Sequence, residues 1–162
     1  TTPHMVFDEA GIVRKPLQSS FCARVGARVD NVTGDGTAYV VALGAEEWDL
    51  NGDYDTGTYT YTWPVAGRVL FTIGIAMDDV ITTHTTVDLR LTASGDVWYQ
   101  THFDIGNIVT SGGVIYINAS AIVDGSASDT ATVTLYIAGG TKTVDVLGAT
   151  YPYSWWMGEL LG

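Results

Sequence analysis

The stretch Asp49-Leu-Asn-Gly-Asp-Tyr-Asp-Thr-Gly-Thr-Tyr-Thr-Tyr-Thr-Trp-Pro-Val-Ala-Gly-Arg-Val-Leu-Phe71 carries the reading of this chain. It opens as an acidic turn. A strand follows over Gly57–Trp63, Pro64 and Gly67 make a tight turn, and a second strand starts at Arg68. In that second strand the odd positions Val69, Phe71, Ile73, Ile75 and Met77 are all apolar, whereas the even positions include Gly74 and Ala76. Side chains alternate across a strand, so one face fills a core. The other face is small enough for a second backbone to come close.

Outward from this segment the same period-two alternation continues between turn signals. It predicts strands at Ser20–Val25, Thr37–Gly44, Thr85–Ala93, Asp96–Phe103, Gly112–Val123, Thr130–Ala138, Thr141–Leu147 and Tyr153–Leu161. Turns are expected at Gly34-Asp35-Gly36, Ser94-Gly95, Asp124-Gly125 and Gly139-Gly140. In Thr85–Ala93, Val87, Leu89 and Leu91 should point inward and Asp88 and Arg90 to water. No amphipathic helix is expected. Residues 1–18 have weak periodicity and read as a leader. Its first four residues, Thr1 to His4, look vector-derived because they precede a His4-Met5 junction. Residues 19–162 form one all-β domain of about ten strands in two antiparallel sheets.

Composition agrees. With 162 residues the chain is long enough for one domain with a real core. A hydrophobic share of 46% with 15% charge excludes a disordered chain. The net charge of −11 argues against nucleic acid and anionic membrane surfaces as partners, since both call for basic patches. The longest apolar run, Val69 to Met77, is too short to span a bilayer as a helix. The single Cys22 has no intrachain partner and reads as a buried thiol.

The closing strand carries Trp155 and Trp156. Neighbouring side chains in a strand face opposite ways, so this pair implies burial on both faces. A subunit interface could supply the second cover. Gly74, Ala76, Trp155 and Trp156 are therefore the candidate self-association residues.

Tyr54-Asp55, Tyr61, the Pro64–Gly67 turn and Phe71 together resemble the signature of the C1q/TNF-like jelly roll. Val69 stands where that family usually has Tyr. The end of the chain is similar too: Trp156, Gly158, Leu160 and Leu161 fit the family's closing strand, with Glu159 in an aromatic position. Gly11-Ile-Val-Arg-Lys-Pro-Leu-Gln-Ser-Ser-Phe-Cys-Ala23 resembles the segment that precedes such domains in bacteriophage tail-fibre and other virion proteins. The resemblance implies a jelly-roll sandwich, a compact homotrimer and a non-enzymatic recognition role. In that reading the chain is the head of a fibre or virion protein, virion-borne or extracellular, binding a host-surface receptor or glycan. The alternative is a structural trimerisation module without its own ligand. A polysaccharide-degrading enzyme is a third class.

Asp49, Asn51, Asp53 and Asp55 place oxygen donors at alternate positions, as in the first half of a calcium loop. Position six is Tyr54 and position twelve Thr60, where Gly and an acid would stand, so either an Asx-turn network or a looser calcium site is expected. No other cofactor is indicated. Trp98 and Tyr99, with His102, Asp96 and Asp104 nearby, form a candidate sugar-stacking group; alternatively the two aromatics straddle a strand. The Asp78-Asp79 pair, His84, His102, Ser19, Ser20 and Ser154 carry no spacing that marks a metal centre or a catalytic triad.

Overall fold

The computed structural model describes residues 5–7, 9–11, 13–14, 18–108, 113–151 and 153–161; Thr1 to His4 lie outside them. The strands are β1 (Val6–Phe7), β2 (Val13–Arg14), β3 (Ser20–Arg24), β4 (Val29–Thr33), β5 (Ala38–Val40), β6 (Ala45–Asp49), β7 (Tyr54–Asp55) and β8 (Thr60–Thr62). They continue with β9 (Gly67–Val80), β10 (Thr86–Ala93), β11 (Asp96–Phe103), β12 (Gly113–Gly125), β13 (Thr130–Ala138), β14 (Val144–Val146) and β15 (Trp155–Leu161). The only helical element among the described residues is the 3-10 turn Ile105–Asn107. No helix there is long and apolar enough to cross a membrane.

Each of the ten expected strands is present. In the leader, β1 and β2 pair with each other and, among the described residues, with no other strand. The remaining strands form two antiparallel sheets. In the first, β10 lies between β11 and β13, and the far side of β13 is shared by β8 and β5. The second is built on β9. One of its edges pairs along its length with β12, Gly113 to Gly125. Along the other edge β15 and β14 lie end to end, covering Arg68–Gly74 and Met77–Asp78. Beyond β15 come β3 and β6. The Ser94-Gly95 turn has φ of 53° and 84°, the left-handed pair that closes a two-residue hairpin between β10 and β11.

The odd residues of β9 meet Val87, Leu89 and Leu91 of β10 and Val133 and Leu135 of β13 in one core. The sequence signature supplies its aromatic cluster. Phe21 stacks on Tyr54 at 4.7 Å and on Tyr61 at 5.0 Å, and Trp63 meets Tyr61 at 5.2 Å and Phe71 at 5.4 Å. Trp156 closes the group, edge-on to Phe21 at 4.9 Å. Gly158 leaves room for Phe21 and Phe71: a Cβ there would stand 2.5 Å from Phe21 Cε1 and 3.0 Å from Phe71 Cε1. Stacked and edge-to-face pairs of this kind add about 0.5–1.5 kcal/mol each beyond their burial.

One facing assignment is corrected. Asp88 points away from the core but is only 4% exposed. Arg90 donates to it at 2.6 Å, His102 bonds its other oxygen, and Arg90 lies over the Tyr136 ring at 4.5 Å. A carboxylate flanked by two cation-capable side chains can be covered at little cost.

Candidate recognition surface

The candidate surface is the outer face of the sheet built on β9. Residues directly paired across strands share a face. Pairing of Trp155 with Gly74 and Arg24 therefore puts Trp155 outside, while Trp156, paired with Ile73 and Ala23, faces in. Trp156 is 0% exposed in a single chain. Its assignment to a subunit interface is thus corrected: the opposite sheet covers it, and no partner is needed to hide it. Gly74, Ala76 and Trp155 remain on the outer face. Ala76 is buried within the chain, and its N–H and carbonyl are held by Ser154 and Leu147.

The same face carries apolar side chains that the alternation did not single out. On β12, Tyr116 and Ile122 pair with Ala76 and Leu70 and are exposed. On β6, Trp48 pairs with Cys22 and is 46% exposed. Its strand reads Ala45-Glu-Glu-Trp-Asp49, whose charge masks the alternation; an aromatic flanked by acids was the available signal. Two shallow depressions meet at Trp48 and Met157. One, of about 260 Å³, adds Ser20, Leu70, Thr72 and Glu159; the other, of about 320 Å³, adds Cys22, Glu47, Thr150 and Trp155. Cys22 is the floor of the second, 7% exposed. Burial, and then the Glu47 carboxylate, push its thiol pKa up, so the nucleophilic thiolate is disfavoured.

The acidic loop is an Asx-turn network. Asp49 Oδ1 accepts from the N–H groups of Asn51, Gly52 and Asp53 at 3.0–3.3 Å, and Oδ2 accepts from Tyr54 at 2.8 Å. Asp55 Oδ1 accepts from Gly57 and Thr58, and those bonds hold its carboxyl below the usual carboxylate range. No three acidic, imidazole or thiol groups among the described residues converge as a metal site. Of the two readings for Asp49, Asn51, Asp53 and Asp55, the Asx-turn network is the one these hydrogen bonds form.

Trp98 and Tyr99 lie in edge strand β11, where Trp98 pairs with Leu91 and is 41% exposed and the Tyr99 backbone pairs with Arg90. Asp78 and Asp79 are taken up by Arg28, which also bonds Asp30 and the buried Asp145. Ser19 shares a 3.0 Å hydrogen bond with Tyr61, and Ser154 accepts from Ala76 N–H at 3.0 Å; both serines are buried and structural. His84 and His102 lie in separate environments, the first buried in a loop and the second on Asp88.

No protein-family model matches this chain, and no curated protein sequence does either. Solved structures do. The globular domain of zebrafish complement 1qA protein superposes with a TM-score of 0.59 at 16% identity, over 89% of this chain and 98% of that one. Murine APRIL gives 0.57 at 9%, over 89% and 99%. Eiger TNF from S. frugiperda gives 0.57 at 13%, over 90% and 92%. The chain has the C1q/TNF-like jelly-roll fold.

Proposed function

We propose that this chain is a non-enzymatic recognition head that assembles as a homotrimer through the outer face of the β9 sheet. The observation that carries the reading is the concentration of Trp48, Trp155, Tyr116, Ile122, Leu70 and Met157 on that face, while the interior is filled. Trp48, Tyr116 and Ile122 are exposed and Trp155, Leu70 and Met157 half-buried, and apolar side chains grouped on one open face mark association surfaces. Similarity of fold supports the trimer and the absence of enzymatic chemistry. The partner is a host-surface receptor or glycan met through loops, and the setting is a virion or the extracellular space; the tail-fibre-like segment Gly11–Ala23 supports this finer part.

Sedimentation equilibrium at micromolar concentration tests the assembly: three times the 17.3 kDa chain mass is expected, and a monomer alone overturns it. Binding to a glycan array and to host cells tests the partner. A trimer that binds neither favours the purely structural module.

A further inference from the structure

Four asparagines stand in this chain, and they are followed by Val32, Gly52, Ile108 and Ala119. The amide nitrogen of the next residue is the internal nucleophile that can displace ammonia from an asparagine side chain. Glycine has no side chain to shield that nitrogen, so Asn51-Gly52 is the reactive pair. Both residues are exposed, Gly52 has a φ of 73°, and a Cβ there would meet nothing within 4 Å. Water and base therefore reach the pair. Yet the nucleophile is engaged: Gly52 N–H donates to Asp49 Oδ1 at 3.0 Å. The N–H groups on either side, of Asn51 and Asp53, bond the same oxygen at 3.3 and 3.2 Å.

We propose that Asn51-Gly52 is a deamidation site and that Asp49 holds it closed in the folded chain. In the reaction the Gly52 nitrogen gives its proton to base and bonds to Asn51 Cγ. The Cγ–Nδ2 bond breaks, ammonia leaves, and a five-membered succinimide remains. Water then opens the ring at either carbonyl, to aspartate or isoaspartate at position 51; no oxidant or reductant takes part. Asp49 opposes the first step in two ways. It binds the proton-bearing form of the Gly52 nitrogen, and its negative charge beside that nitrogen disfavours the anion. Its bonds to both flanking amides resist the rotation that would carry the nitrogen to Cγ. Once the ring has closed, the imide nitrogen has no proton left to donate to Asp49. Isoaspartate also inserts a methylene into the main chain, between amides that all converge on Asp49. The Tyr54 N–H is the last of these, on Asp49 Oδ2, and Tyr54 stacks on Phe21 in the core. Conversion is therefore a one-way opening of the loop that anchors Tyr54.

The test is incubation of the whole chain at mildly alkaline pH, folded and in guanidinium. Mass spectrometry of the peptide that holds residues 49–54 and an enzymatic isoaspartate assay follow the product. The unfolded chain should convert at Asn51, and the folded chain at least about tenfold more slowly. Asp49→Ala should lose most of that protection. Asp55→Ala, which breaks only the neighbouring bonds from Gly57 and Thr58, should keep it. Converted chains, separated by their added charge, should melt at a lower temperature than the parent. An unfolded chain that stays intact at Asn51 overturns the site. Equal rates folded and unfolded, full protection in a folded Asp49→Ala, or lost protection in Asp55→Ala overturn the guard. An unchanged melting temperature overturns the opening of the loop. If Asp49→Ala does not fold, hydrogen exchange at the Gly52 amide decides, because it removes the same proton: slowing by a similar factor is expected, and exchange at the unprotected rate defeats the role of Asp49.

Discussion

The Trp155 indole lies directly over Gly74: a Cβ at position 74 would stand 2.7 Å from both Trp155 Cε2 and Nε1. Gly74 is therefore the seat of the central aromatic of the outer face. Gly74→Ala should unseat Trp155, cost about 1–3 kcal/mol by overpacking and weaken assembly. Tryptophan fluorescence and sedimentation on the same variant check both effects.

The two neighbouring tryptophans should separate cleanly. Trp156→Ala empties a core site and should cost about 3–5 kcal/mol in chemical denaturation. Trp155→Ala and Trp48→Ala should leave the monomer fold intact but remove about 2 kcal/mol or more of association energy. Equal effects on folding from all three would contradict the facing of β15.

Asp88 gives a pH signature. Burial works to raise its pKa, but the hydrogen bonds from Arg90 and His102 prevail and hold it below the usual carboxylate range. A lowered folded pKa contributes stability that is present above the unfolded value, about 3.9, and is lost as pH falls through the folded one. Asp88→Asn should thus destabilise at pH 7, and its gap to wild type should close at acid pH below about 4. Thermal melts at pH 7 and pH 3 measure the gap.

At the acidic loop, Asp49→Ala strips the acceptor from four amides and should cost about 1–3 kcal/mol. Wild-type melting should be the same in millimolar calcium and in chelator. A calcium-dependent rise in melting temperature would establish a metal site at this loop.

Cys22 should react slowly with thiol reagents in the native protein at pH 7.5, because its thiolate is disfavoured. Labelling should quicken only as pH passes the ordinary thiol value of about 8.5. Fast labelling at pH 7.5 would mean that the Trp48–Trp155 depression is open to the thiol.

The sequence was most legible where alternation was cleanest. The strands Asp96–Phe103 and Thr130–Ala138 have the bounds that alternation predicts. It was least legible at β4, β6 and β7, where Asp, Asn and Glu interrupt the apolar period. These charges suit edge strands, which guard unpaired backbone with them. The site was half legible. Adjacent tryptophans do face opposite ways, but the second sheet of the same chain covers Trp156. Alternation alone cannot say whether a face is covered from within or without. Asp88 shows the same limit, since an outward carboxylate can be buried by its own cross-strand neighbours.

The strand that comes last in the fold, β15, sits in the middle of its sheet, between β9 and β3. A nascent chain halted before Trp155 would hold two bare strand edges and a vacant slot, with Phe21 and Phe71 uncovered. Synthesis must therefore deliver the final strand before the sheet can close, and until then the slot is open to the matching strand of a neighbouring chain.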